Sequence, residues 1–130
     1  MFIVRGYSPV PQGGALVNGT YVLSAYETFG DSGGDGGKTA TGVIRTESIV
    51  IKDGIASFMG ASGSSQQGLG PTTGQVFWVA TAREPYLDLT AKCQATSTSY
   101  MFTALGDVLQ LFVLSPDGGR TSEVRTYERQ

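Results

Sequence analysis

Nineteen glycines are spread through a chain of 130 residues, and no stretch between them keeps apolar residues at helical spacing. Glycine or a β-branched residue interrupts each candidate helix, while short runs with period-two alternation survive. Those runs read as strands at residues 2–5, 19–28, 39–52, 55–60, 76–81, 86–92, 100–105, 108–114 and 121–129, the third being one bent strand or two meeting near Thr46. Asp53-Gly54 is the sharpest turn signal, because two successive residues with positive φ make the type I′ turn of a tight hairpin. Gly106-Asp107 places glycine first, as a type II′ turn prefers. Eight or nine strands at such regular spacing indicate an antiparallel barrel or sandwich.

Alternation separates one dry face from one wet face. Leu87 and Leu89 alternate with Asp88 and Thr90, and Leu109, Leu111 and Val113 flank Gln110. Hairpin-linked neighbours suit an up-and-down meander, and closing that meander removes exposed edges. The expectation is therefore an all-β, antiparallel up-and-down barrel over residues 19–130, with a β-sandwich as the alternative. Residues 1–18, with Pro9, Pro11, Gly13 and Gly14, read as an irregular arm. The polar stretch 62–75 reads as a long loop.

Composition limits the chemistry more than the fold. With 40% apolar and 15% charged residues the chain fits one globular domain, neither disordered nor membrane-spanning by helices. Histidine is absent and cysteine occurs once, at Cys93. Those counts exclude a Ser-His-Asp triad, a Cys-His pair, histidine or thiolate metal centres and an intrachain disulfide. No cofactor or metal is expected. A net charge of −2 without a basic run argues against nucleic acid as a partner. Only Phe2, Ile3 and Val4 stand between Met1 and Arg5, far short of a signal core, so a cytoplasmic setting is the default expectation.

Two segments resemble known proteins. Gly19-Thr20-Tyr21-Val22-Leu23, with Glu27 and Phe29 after it, is similar to the G-x-W opening strand of the calycin superfamily, which contains lipocalins and fatty-acid-binding proteins. Val124-Arg125-Thr126-Tyr127-Glu128-Arg129 resembles the R-x-Y-E-R final strand of intracellular fatty-acid-binding proteins. The chain departs from that pattern in carrying Tyr21 for tryptophan and no helical lid or outer helix. The resemblance implies a lipocalin-like barrel of eight to ten strands around an apolar cavity.

Arg125 and Tyr127 stand at i and i+2, so on a strand they share a face with Glu123 and Arg129. Turned inward, the guanidinium and the phenol would anchor a carboxylate, as the resemblance implies. Turned outward, they would be a solvated face. The resemblance adds a third role, stacking of the arginine on the first-strand aromatic Tyr21. Tyr21, Phe58, Trp78, Tyr100, Phe102 and Phe112 fall on different strands and would line a cavity or fill a core.

The stretch Ser32–Thr39 (SGGDGGKT) nearly spells a phosphate-binding loop, but its first glycine is missing and a strand follows where a helix is needed. Asp31 and Asp35 supply too few oxygens for Ca²⁺. Asp88, Asp107 and Glu84 are the remaining carboxylates considered for acid–base work, with no visible pairing, and Cys93 reads as inert. The functional expectation is binding of a small, largely apolar molecule, with an acidic group as an option, inside the barrel. Its rivals are a cofactor-free cyclase or isomerase acting on a polyketide-like or terpenoid-like substrate by positioning it, and a protein-interaction module with a filled barrel.

Overall fold

The computed structural model describes residues 2–4, 10–29, 38–40, 43–64, 66–71, 76–93, 95–114 and 121–130. The glycine-rich stretch 30–37, with the phosphate-loop-like residues and Asp31 and Asp35, lies outside them. Among the described residues the chain forms β1 (Phe2–Val4), β2 (Gly19–Phe29), β3 (Lys38–Ala40), β4 (Val43–Lys52), β5 (Ile55–Ser64), β6 (Gly68–Leu69), β7 (Val76–Arg83), β8 (Tyr86–Ala91), β9 (Ser97–Leu105), β10 (Val108–Leu114) and β11 (Thr121–Arg129), with no helix. None of it is therefore a helix long and apolar enough to cross a membrane.

Eight of these strands close into an antiparallel barrel in the order β2-β4-β5-β7-β8-β9-β10-β11, with β11 returning to pair with β2. The sandwich alternative falls away: every barrel strand has a neighbour on each side and the end strands meet. The Asp53-Gly54 turn has φ of 50° and 79°, as a type I′ hairpin requires, and Gly106 has φ of 60°. Residues 39–52, expected as one bent strand or two meeting near Thr46, form β3 and β4, and β4 runs through Thr46 to Lys52. The polar stretch 62–75 is not a single loop either, because β5 runs on to Ser64 and β6 pairs back on it.

Register decides which side chains face inward. Ile49 pairs with Tyr21 and Phe58, Leu89 with Ala80 and Thr98, and Leu111 with Phe102 and Arg125. From these inner positions Tyr21, Ile49, Ile51, Ala56, Leu87, Leu89, Phe102, Leu109, Leu111 and Tyr127 bury themselves as one core, with Leu23, Phe58, Trp78 and Tyr100 packed against it. Most of this core lies toward the end carrying the turns at 53–54, 84–85 and 106–107.

The arm finishes that end. Gly13 exchanges backbone hydrogen bonds with Phe102 and Ala104 at 2.7 and 2.8 Å, taking the place beside β9 that β8 has vacated. Leu16 packs on the core, and Asn18 and Asp53 join through two hydrogen bonds at the β4–β5 turn. Gly14 makes this approach possible: at φ of 125° a β-carbon there would stand 2.1 Å from the Ala104 carbonyl oxygen.

Candidate functional site

The site begins with an irregularity in β2. Along the β2–β11 ladder Thr126 faces Ala25 but Tyr127 faces Leu23, so Ser24 is an extra residue, a β-bulge. A bulge shifts the alternation by one. Tyr21 and Leu23 point inward before it and Tyr26 after it, where Tyr26 pairs with Arg125. A bulge also bends its strand, and here β2 leaves β4. The two pair only from Gly19↔Ile51 to Val22↔Ser48, and β2 then takes β1 as a parallel neighbour from Glu27.

A pocket of about 230 Å³ opens where β2 and β4 part, lined by Val22, Leu23, Thr46, Glu47, Ser48, Met59 and Gly60. Leu23, Glu47 and Gly60 come from the inner face of the wall, the others from the outer face. Gly60 sits opposite Glu47, where a β-carbon would be 2.6 Å from the Thr46 carbonyl oxygen.

Glu47 is the unusual member. It shares the inner face of β4 with Ile49 and Ile51, and its side chain is only 7% exposed. An ionised carboxylate in such a place needs partners. Arg45, two residues earlier on the same face, donates from Nη2 at 2.6 Å and Nε at 3.1 Å to Oε2. Tyr127 donates its hydroxyl to Oε1, and Arg125 Nη1 stands 3.9 Å from the same oxygen. Arg125 donates from Nε to Glu123 at 2.7 Å. Tyr26 lies between the two cations, with Arg45 5.4 Å and Arg125 5.8 Å from its ring centre.

Two guanidiniums and two carboxylates therefore balance. Burial pulls the Arg125 pKa down, but Glu123, with Tyr127 and Glu47 after it, more than offsets this and the net shift is upward. Arg45 moves upward in the same way, Glu47 outweighing its burial. Burial first, and then the Glu47 charge, hold the Tyr127 phenol well above its ordinary value. Burial and then Glu123 raise Tyr26.

The Tyr127 shift has a signed consequence. The folded-state value is raised, so its stabilising share is complete below the unfolded value near pH 10 and is lost as pH climbs toward the folded one. Above pH about 10 the wild type should lose up to about 1.4 kcal/mol per pH unit through this residue. Tyr127→Phe should lack that component, while costing about 1–3 kcal/mol at neutral pH by leaving Glu47 short of a donor. Urea unfolding of both proteins on either side of pH 10 measures the difference, with Tyr26 common to both.

Arg125 and Tyr127 face inward, so they are not a solvated face, and Tyr127 is fully buried. Arg125 stacks on Tyr26 rather than on Tyr21, whose hydroxyl donates to the Val17 carbonyl at 2.7 Å. Tyr21 and Phe102 are core, and Phe58, Trp78 and Tyr100 pack on it. Phe112 is buried on the opposite face of β10, beside Val124. None of the eight lines the pocket; Tyr127 reaches it through Glu47.

The other carboxylates do structural work. Asp88 accepts from Arg83 and Ser99 on the outer surface, Asp107 pairs with Arg129, and Glu84 accepts from the Gly14 amide. Cys93 is exposed.

Arg45, Glu47 and Tyr26 were missed. The available signal was the alternation Arg45, Glu47, Ile49, Ile51, which places two charges in line with two core residues. Among the described residues no group of three or more histidine, cysteine, aspartate or glutamate side chains could hold a metal ion. Comparison with protein-family models, with curated proteins and with solved structures finds nothing that matches this chain.

Proposed function

We propose that the protein binds a small, largely apolar molecule in the pocket between β2 and β4, as a calycin-like barrel that uses its side wall rather than its middle. The observation that carries this reading is the pocket itself, with Val22, Leu23 and Met59 as apolar wall and the buried Glu47 beside them. Concave, mostly apolar sites with a few fixed polar groups are the usual form of a small-molecule site. At about 230 Å³ it falls below the usual range for drug-sized ligands, so the occupant is small or inserts only one end.

A cofactor-free isomerase or cyclase in the same place is the second reading, favoured by a carboxylate at the pocket wall. Glu47 is poorly placed to act as a base, since Arg45 occupies Oε2 twice and Tyr127 occupies Oε1. Binding is therefore the stronger reading, and it requires no bond to break.

Met59 provides the test. Among three methionines it lines the pocket, whereas Met101 sits on β9 and serves as an internal control. With ¹³C-methyl methionine labelling, a panel of small apolar compounds should shift the Met59 resonance saturably and leave Met101 still. Thr46→Trp, at an exposed pocket residue, should remove that response without loss of the fold. A panel that leaves Met59 unmoved at millimolar concentration overturns the reading.

A further inference from the structure

We infer that the polar group recognised in this pocket is a neutral hydroxyl, so that the ligand class is a small aliphatic alcohol rather than an acid or an amine. The inference rests on the pocket being a binding site, and it follows from which hydrogen-bonding positions are left over. An ionised carboxylate offers about four acceptor positions. Arg45 takes two on Oε2 of Glu47 and the Tyr127 hydroxyl takes one on Oε1. Arg125, at 3.9 Å from Oε1, is beyond hydrogen-bond distance, and among the described residues no further donor takes the last position. The other polar side chains in the lining, Thr46 and Ser48, are hydroxyls that donate or accept.

Charge decides between the donors that could take that position. A carboxylic acid, ionised at neutral pH, would bring a second negative charge against Glu47. Among the described residues no lysine or arginine lines the pocket to receive it, and the Arg125 Nε is already given to Glu123 at 2.7 Å. An ammonium group would meet Glu47, but Arg45 at 2.6 Å already neutralises that carboxylate. The newcomer would lose its hydration and face the Arg45 guanidinium in a poorly screened place. A hydroxyl gives one proton to Oε1 and carries no charge to desolvate. Its apolar tail lies against Val22, Leu23 and Met59.

The test is a matched series on the wild-type protein: n-hexanol, hexanoate and hexylammonium, titrated separately at pH 7 and followed by the Met59 methyl resonance. The alcohol should bind about tenfold tighter than either ion, the factor expected for one satisfied hydrogen bond against one poorly compensated charge. A response to hexanoate or hexylammonium at equal or lower concentration overturns the alcohol assignment while leaving the pocket a binding site. Silence from all three overturns both. The preference should also survive raised salt, because a neutral ligand has no charge to screen.

Discussion

Phe102→Ala is expected to remove about 4 kcal/mol of stability, among the largest effects available from any single side chain in this barrel. Phe102 has no exposed surface and sits on β9 opposite Leu111 of β10, within the cluster that includes Leu87, Leu89 and Leu109. Truncation there loses the transfer energy of the ring and leaves a void that strands fixed by hydrogen bonds on both sides close only in part. Domains of this size are stable by about 5–15 kcal/mol, so the variant should unfold at a much lower denaturant concentration with an unchanged slope. Leu105→Ala, at the 75% exposed end of the same strand, should change stability by less than about 0.5 kcal/mol. The pair separates a packed core from a cavity wall. A cost below about 1 kcal/mol at Phe102 would mean that the ring borders space already empty.

The strands and their closure were legible, because alternation at Leu87/Leu89 and Leu109/Leu111 and the turn at Asp53-Gly54 each act locally. The inner position of Arg125 and Tyr127 was only one of several readings, since a period of two says that residues share a face without saying which face. Partners decide that, and Leu109 and Leu111 lie opposite in the β10–β11 register. The Ser24 bulge left no mark in the pattern. A single extra residue reverses the phase of β2, so Tyr26 turns inward and the strand bends away from β4. The pocket lies where the two strands part. The sequence left the aromatics open between a cavity wall and a core, because a large apolar side chain is at home in either; Tyr21 and Phe102 are core, with Phe58, Trp78 and Tyr100 packed on it.

The charged cluster was hidden by a sound general rule. Arginine and glutamate seldom lie on the buried face of a strand unless they are paired. Here the pairing is distributed over three strands: Arg45 and Glu47 on β4, Glu123, Arg125 and Tyr127 on β11, and Tyr26 on β2. Taken alone, β4 and β11 show ordinary polar residues at i and i+2, and β2 contributes a single tyrosine. Only closure of the barrel at β2–β11 brings them within reach of one another, so a long-range contact had to exist before the local pattern had meaning.

Because the cluster works as a unit, its energetics should be strongly non-additive. Glu47→Ala is expected to cost about 3 kcal/mol, since it strands Arg45 and leaves the Tyr127 hydroxyl without its acceptor in a buried setting. Partial exposure of the Arg45 side chain, 27%, lets water replace some of what is lost and holds the figure at the lower end of the range for buried pairs. Arg45→Met in the wild-type background should cost about 2 kcal/mol by leaving Glu47 undercompensated. The double variant Glu47→Ala with Arg45→Met should cost about 1–3 kcal/mol less than the sum of the singles, because each change removes the group that the other leaves unpaired. Urea titrations of the four proteins at pH 7 close the cycle. Strict additivity would mean that the two groups do not hold each other in place, and the open acceptor position on Glu47 would then have no fixed geometry to offer a ligand. Substantial coupling makes Glu47 a preorganised acceptor, one whose orientation is set by the protein before any ligand arrives.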